Sequence, residues 1–427
     1  MQTRNKLDRN ELVLNKLARF ATTALLSAVI LTPQAAEAGP KKAKALAVAT
    51  VFDAEKRKKT KRTVGQRLSY SASTSIRFQG ERNQRRDDAT DDRAEEYALY
   101  FGLVGRVDLG RGMIAFGHGE LDIRSKTTHA KSYDMATHWT TKEAFLSFEV
   151  SDDARITIGR MRFSDLNKWV ADAAVDGIHY GHKTKDRVTE LAAFKGTGDI
   201  TASYLMAHHG RVNNKIRYGA LALIENEGSN NSLHLSGYAN AVVSQRFSYE
   251  LNVGMVAGDA ANGKNAGFGF DLRSTHKFGT RKFSPQLMFG FAAGSEGYRQ
   301  SGLHSNKTYN RGQTQVHRYG YAFQPDLTNL AVGTVAIGIR PSRKLSVDLG
   351  LHVYGQMNPS ITGPSARLSG ATTGASAFLG TEVSLAGAWR PSKKSKVEFG
   401  IGHFNPGPAY VDQTPATRVY MRMSVTF

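Results

Sequence analysis

The sequence contains no cysteine. It therefore has neither a disulfide framework nor a thiolate metal site. Beyond residue 40 it also lacks any run approaching the roughly 20 consecutive apolar residues that a membrane-spanning helix needs. A chain of 427 residues with this composition could form two or three soluble domains or one large β-barrel. If it crosses a membrane, it must do so with strands.

Recognisable catalytic and metal-binding patterns are also missing. No G-x-S-x-G motif occurs, so a serine hydrolase of the lipase type has no support, although other catalytic arrangements stay open. The pair His208-His209 has no third ligand at metal spacing and is better explained as the end of a strand. We therefore expect no catalytic residue, no metal and no cofactor.

The N-terminus predicts export from the cytoplasm. A basic segment precedes an apolar core at Phe20–Leu31, and Ala36-Glu37-Ala38 then matches a signal-peptidase site. The alternative is an anchor helix that is never cleaved, but twelve apolar residues are short for a membrane span. We expect residues 1–38 to be a signal peptide. The destination is then the periplasm, the outer membrane or the exterior.

The net charge of +20 is unevenly distributed. Residues 39–67 carry ten bases against two acids, with no clear periodicity. Such a run is typical of a disordered tail, and we assign residues 39–66 to a basic periplasmic leader. A functional alternative is that the leader holds a polyanion near an entrance.

From residue 67 onward, apolar and polar residues alternate with period two. The last strand places Val419, Met421, Met423, Val425 and Phe427 on one face, with polar residues between them. Polar faces elsewhere in the chain carry formal charges of both signs. A sandwich core would not hold such charges, whereas a water-filled lumen would. The pattern predicts an all-β protein whose strands face lipid on one side.

Eighteen candidate strands can be placed between residues 67 and 427, with the least distinct ones at 175–258. If both termini are periplasmic, every long connection falls on the extracellular side, as in outer-membrane barrels. We therefore predict a single transmembrane, antiparallel, up-and-down β-barrel at 67–427, with long extracellular loops and short periplasmic turns. The long connections are predicted at 85–93, 127–140, 164–174, 295–328, 358–377 and 406–415.

Several stretches resemble one family. The strand Arg155–Phe163 contains a Gly-Arg-x-Arg-like motif, and Trp169–Asp172 and Val175–Gly177 follow it. Further along, Gln324–Leu330 and Leu379–Glu382 match later segments of the same family. Trp389–Pro391 and Phe404–Tyr410 complete the series. Together they resemble the alginate export family of outer-membrane barrels over most of 67–427, but not over the basic leader.

The resemblance implies a monomeric barrel of eighteen strands in the Gram-negative outer membrane. Its constricted lumen, lined by basic residues, would pass an anionic polysaccharide such as an alginate-like polyuronate passively to the exterior. A positive interior would lower the barrier for a polyanion and repel cations. Alternation supplies the candidates for the lumen wall, namely Arg77, Arg106, Arg124, Arg217, Arg273, Arg418 and Arg422.

The family motif adds Arg160 and Arg162 to these candidates, with Asp172 and Asp176 as partners that hold them. Both arginines share parity with Ile156 and Ile158, so a bulge or a location at the upper rim must place them. Any lumen arginine could instead pair with a neighbouring acid or contact a headgroup, and the two aspartates could simply be solvated loop residues.

Two other functions remain open, a general or anion-selective diffusion porin and an outer-membrane hydrolase. The basic loop 295–328 could serve as a plug or as a constriction. Expected partners are outer-membrane lipid and lipopolysaccharide, the barrel insertion machinery, for which Phe427 resembles the recognition signal, and periplasmic secretion proteins. We expect no binding to nucleic acid.

Overall fold

The computed structural model describes residues 62–64, 68–83, 93–128, 131–213, 215–228, 230–260, 263–279, 283–309 and 315–427. The predicted signal segment and most of the leader lie outside these residues. Three leader residues form strand β1 (Arg62–Val64), which pairs with Leu68–Tyr70. They are strand where the sequence predicted a disordered tail. The reason is an open strand edge, since the barrel's last strand pairs only from Ser73 onward.

Eighteen long strands form the barrel wall. They are β2 (Leu68–Arg82), β3 (Ala94–Gly110), β4 (Met113–Thr128), β5 (Lys131–Ser151), β6 (Ala154–Ser164), β7 (Asp172–Lys183), β8 (Arg187–Gly196), β9 (Ser203–Asn213), β10 (Ile216–Glu227), β11 (Asn230–Val242), β12 (Phe247–Ala260), β13 (Gly263–Lys277), β14 (Phe283–Gly294), β17 (Leu330–Ser342), β18 (Leu345–Gln356), β19 (Phe378–Trp389), β20 (Ser395–Pro406) and β21 (Ala416–Thr426). Two short strands, β15 (Lys307–Tyr309) and β16 (Gln315–His317), form a hairpin within one connection.

Each wall strand pairs antiparallel with its sequence neighbours, and the last strand pairs with the first. The closing register runs from Ser73 opposite Thr426 to Arg82 opposite Thr417. Closure leaves no free edge among the paired segments, which satisfies the backbone hydrogen bonds that an apolar membrane cannot satisfy. The predicted barrel of eighteen antiparallel strands is confirmed.

The alternation in the sequence becomes an outer and an inner face. On β21, Val419, Met421, Met423, Val425 and Phe427 are exposed on the outer surface. The residues between them, including Arg418 and Arg422, face the lumen and are partly covered. An apolar band outside and a polar wall inside are what a barrel in lipid requires.

Long connections gather at one end of the barrel and short turns at the other. The short end includes the turn Gly110-Arg111-Gly112, in which all three residues have positive φ. At the long end, residues 295–329 and 357–377 join β14 to β17 and β18 to β19. The prediction of a loop at 127–140 was wrong, because β4 continues to Thr128 and β5 already begins at Lys131. Alternation continues through this stretch, with Met135 and Trp139 exposed.

The two longest connections fold back into the barrel. Tyr298, Leu303, Tyr319 and Phe323 of the first are buried and join one hydrophobic cluster with the wall. Trp169 also lies in this cluster, 2% exposed, and its Nε1 donates to Tyr319 Oη at 3.0 Å. In the described part of the chain, no helix is long and apolar enough to cross a membrane.

Candidate channel lining

Three of the predicted arginines lie in one row of cross-strand partners on β21, β2 and β4. Arg77 on β2 is directly opposite Arg422 on β21. On its other side Arg77 is opposite Ala98 of β3, which is opposite Arg124 of β4. All three have the inward register, and we call Arg77, Arg124 and Arg422 the arginine row. Sequence alternation assigns these arginines to the inward face, but it cannot show that they lie in one row across the strands.

Tyr100 organises the arginine row. It lies on β3, one inward position from Ala98, and is buried. The guanidinium carbons of Arg77 and Arg422 lie 5.0 and 5.4 Å from the centre of its ring. Stacking on an aromatic face holds a guanidinium group while leaving it charged. Tyr100 was not among the predicted site residues, although its inward register could have indicated it.

Each arginine of the row also has a polar partner. Arg77 pairs with Glu96, and Arg124 pairs with Asp122. Arg422 donates from Nη2 to Ser75 Oγ at 2.9 Å. Glu398 is directly opposite Arg422 on β20 and pairs with Lys396. Four cations, counting this lysine, therefore face three carboxylates, and the side chains of Arg77 and Arg124 are 24% and 40% exposed. The row presents net positive charge to the open part of the lumen.

Arg418 lies nearer the extracellular end and is tied to a loop. Its Nη1 donates to Tyr321 O at 3.2 Å, and its Nε lies 3.1 Å from Glu81 Oε1. Glu81 is also paired with Arg367 of the second long connection. This arginine therefore fixes loops to the wall in addition to charging the lumen.

Arg106 and Arg217 lie inward near the periplasmic end. Arg106 is opposite Ser69 and Phe116. Arg217 is buried and opposite Val212 and Asn240. Neither residue belongs to the row of cross-strand partners that contains Arg77, Arg124 and Arg422.

On another part of the wall, Arg273 is covered by the loop. Its Nη2 donates to Arg318 O at 2.7 Å. Arg318, from the loop, donates to Glu250 Oε2 at 3.0 Å and lies 3.4 Å from Asp271 Oδ2. Burial would lower the pKa of Arg318, but the charges of Asp271 and Glu250 raise it above its usual value, so it stays charged.

The space beside Arg273 and Arg318 is a cavity of about 20 Å³. That volume holds about one water molecule. A sugar ring cannot reach Arg273 in this arrangement. The arginine row, unlike Arg273, remains partly exposed.

Arg160, Arg162 and Asp176 lie elsewhere than in the lumen wall. The register of β6 with β7 is continuous from Ala154 to Ser164, so the bulge that sequence reasoning considered does not occur there. Arg160 and Asp176 are opposite each other on the outward face that carries Ile158 and Ile178. The lumen assignment of these three residues is therefore corrected to a location near the extracellular rim.

The expected pairings at the rim are nevertheless present. Arg160 donates two hydrogen bonds of 2.7 Å to the carboxylate of Asp176. Arg162 donates to Asp172 Oδ1 at 2.7 Å, and Lys168 donates to Oδ2 at 2.9 Å. Asp172 also accepts from Ser305 at 2.8 Å, so its buried carboxylate joins the rim to the long loop.

Glu382 is the strongest loop anchor that sequence reasoning missed. Its carboxylate is buried and accepts hydrogen bonds from the backbone amides of Tyr321, Ala322 and Phe323. Tyr354 Oη lies 3.3 Å from the same carboxylate. The sequence signal was an acid in an inward register of β19, but its partners come from a distant loop.

The two adjacent histidines point to opposite faces. His208 faces inward and lies 2.7 Å from Glu190, whereas His209 faces outward and lies 3.0 Å from Thr189. They cannot bind one metal ion together. Among the described residues, no group of three or more potential ligands is arranged to hold a metal.

Known proteins are similar to this chain either in part of its sequence or in its fold. A sequence model of the family described as "Alginate export" matches residues 189–424. The "Alginate production protein AlgE" of Azotobacter vinelandii is 41% identical over 61 residues. That match spans 14% of this chain and 13% of the relative.

Solved structures support the fold alone, because their sequence identities are low. OccK7 (OpdD) of Pseudomonas aeruginosa has a TM-score of 0.58 at 9% identity, covering 85% of this chain and 99% of its own. OccK8 (OprE) has a TM-score of 0.57 at 11% identity, and the match covers 84% of this chain and 98% of OccK8. The outer membrane protein OprD has a TM-score of 0.55 at 8% identity, and the match covers 84% of this chain and 93% of OprD. All three are from Pseudomonas aeruginosa.

The barrel, its apolar outer band and these similarities locate the protein in the Gram-negative outer membrane. The family match covers more than half of the chain. The chain belongs to the alginate export family.

Proposed function

We propose that this barrel exports an anionic exopolysaccharide, of the alginate-like polyuronate class, by passive passage through a positively charged lumen. The observation that carries the proposal is the arginine row, three inward guanidinium groups on β21, β2 and β4 in a barrel of this family. Guanidinium pairs carboxylates in bidentate geometry and remains charged at all relevant pH values. We also propose that residues 1–38 direct the chain to this membrane as a signal peptide.

The polymer moves because its carboxylates exchange with those of the wall. Arg77 and Arg124 already bind Glu96 and Asp122, so a uronate replaces a partner of the same chemistry. Exchange between similar partners keeps each contact weak, which passage through a channel requires. Tyr100 holds the guanidinium groups in place while their partners change.

The test is single-channel conductance in a planar bilayer with oligomeric polyuronate added on one side. In the unmodified protein, the oligomer is expected to block chloride current transiently. Arg77→Gln with Arg422→Gln should raise the oligomer concentration for half-block several-fold. Arg160→Gln is the matched control, because Arg160 lies on the outward face. If the oligomer does not change the chloride current through the unmodified protein, the export proposal is refuted.

An anion-selective diffusion porin is the second candidate. The observation that favours it is the connection 295–329, which folds into the lumen as a constricting loop does. A porin would show selectivity for small anions with no response to the oligomer. The same conductance experiment therefore separates the two functions.

A hydrolase receives little support from the loop residues. His304 lies 2.8 Å from Asp326 Oδ1, and Ser365 donates to Asp326 Oδ2 at 2.8 Å. In a catalytic triad the histidine lies between the serine and the acid and takes the serine's proton. Here the aspartate lies between them, so this cluster does not activate Ser365. We propose a channel without catalytic function.

A further inference from the structure

An apolar groove of about 470 Å³ crosses the outer surface of β7–β11. Its floor includes Ala207 and Ala222, which are opposite each other on β9 and β10. Larger side chains, among them Leu191, Leu205 and Ile224, form its sides. Small residues between large ones leave a depression in a wall that otherwise presents bulky side chains to lipid.

Basic side chains lie at the periplasmic end of the same strands. Arg187 on β8 and Arg211 on β9 are directly opposite each other, and both are exposed on the outward register. Like charges at directly opposite positions repel, so the pair is favourable only with an anion beside it. Asp186 lies 3.5 Å from Arg187 and neutralises part of this charge.

More cations surround the pair. Lys185 belongs to the connection before Arg187, and Lys215 follows Arg211 in the next turn. Four bases therefore lie at this corner of the barrel together with Asp186, and two further acids, Asp152 and Asp153, lie in the adjoining turn between β5 and β6. The exposed ring of Tyr218 is opposite Arg211 on β10, as expected of an aromatic residue at a membrane interface.

The spacing of groove and bases matches a phospholipid. Ala207 precedes Arg211 by four residues, which is about 13 Å along a strand. A single leaflet of hydrocarbon is about 15 Å thick, so a chain attached to a phosphate at Arg211 passes over Ala207. The charge of the headgroup and the apolar chain thus meet complementary surfaces at the correct separation.

We propose that this groove binds one anionic phospholipid of the periplasmic leaflet, with its phosphate at Arg187 and Arg211 and an acyl chain over Ala207 and Ala222. The preference for an anionic lipid over a zwitterionic one comes from the basic corner. The groove fixes where on the barrel the lipid binds. This site is independent of the proposed passage of polysaccharide.

Native mass spectrometry of the full-length barrel in detergent tests the proposal, with dioleoylphosphatidylglycerol and dioleoylphosphatidylcholine as the probes. The unmodified protein should retain one phosphatidylglycerol in preference to phosphatidylcholine. A basic residue at the membrane surface strengthens binding of anionic lipid about fivefold. Arg187→Gln with Arg211→Gln should therefore remove most of the preference. Ala207→Leu with Ala222→Leu should weaken retention of both lipids by filling the groove.

The matched control is Arg390→Gln with Lys393→Gln, two exposed bases of the periplasmic turn between β19 and β20. Barrel folding of every variant is checked by its mobility on unheated electrophoresis. Equal retention of the two lipids by the unmodified protein would overturn the proposal. So would a control variant that loses the preference as strongly as the arginine pair. Dimers that the alanine variant abolishes would assign the groove to a second copy of the chain and equally overturn it.

Discussion

At the scale of single residues, the buried carboxylate of Glu382 holds a loop, while the arginine row faces the remaining lumen. Glu382 illustrates the first role, because it gathers three backbone amides of the long loop. The arginine row illustrates the second, because its side chains are oriented by partners yet stay partly exposed. Glu382 thus anchors a loop, whereas the arginine row supplies charge to the lumen.

Replacing Glu382 should release the long loop. Glu382→Gln removes the charge and leaves at least one of the amides of Tyr321, Ala322 and Phe323 without a good acceptor. An unsatisfied buried donor costs about 1–3 kcal/mol. We expect faster limited proteolysis within 295–329 and a larger open-channel conductance.

Glu398→Gln is the control for this change. Glu398 lies inward on the neighbouring strand, but it pairs with Lys396 rather than with a loop. Its variant should keep the cleavage rate of the original protein. Equal loop cleavage in Glu382→Gln and the unmodified protein would show that the carboxylate does not anchor the loop.

At the scale of elements, the long loop also carries a titratable group. Burial and the nearby cations lower the pKa of His317 well below its usual 6.5. The cations that act on it are Lys307, His304, Arg273 and Arg418. A histidine with a lowered pKa stays neutral in the packed loop, whereas the released loop binds a proton below about pH 6.5.

The packed loop should therefore lose stability as the pH falls. Between pH 7.5 and 5.5, we expect hydrogen exchange of residues 315–323 to accelerate. His317→Gln should flatten this dependence, because glutamine does not titrate in that range. His403→Gln, at an exposed position of β20, should leave it unchanged. An identical pH profile in His317→Gln would rule out this histidine as the cause.

The sequence predicts wall strands better than it predicts loops, and the reason is physical. Alternation is local, so strands were expected even in the least distinct stretch, 175–258, and β7 to β12 are observed there. The inward folding of Tyr319 and Phe323 depends on partners far away in sequence, which no local pattern reveals.

The arginines show the same division. Inward register was predictable for Arg77 and Arg422, since alternation on β2 and β21 is regular. Arg160 alternates in phase with Ile158, which already argued against a lumen location. In the structure both residues lie on the outward face, and Arg160 lies near the rim. Which arginines are covered by a loop, as Arg273 is, could not be predicted, because that depends on the path of residues 295–329.

At the scale of the whole molecule, closure of the barrel depends on its last strand. Phe427 N donates to Ala72 O at 2.8 Å, which extends the closing register by one residue. Its side chain is exposed on the outer surface. Phe427→Ser keeps the backbone bond but removes the aromatic ring from the end of the strand. We expect less folded protein in the outer membrane, measured by heat-modifiable electrophoresis of membrane fractions, with Met423→Ser as the control on the same face.

The charge of the arginine row should also determine which small ions pass. A unit charge about 10 Å from an ion in water contributes ~0.4 kcal/mol, close to twofold in permeability. Arg77→Gln with Arg422→Gln should therefore reduce the chloride preference over potassium roughly fourfold. The measurement is the reversal potential under a potassium chloride gradient at low total salt. At about 1 M salt, where the screening length is near 3 Å, the difference should shrink. Arg160→Gln should keep the original reversal potential, and a shift as large as that of the double variant would place the selective charge at the rim instead of in the row.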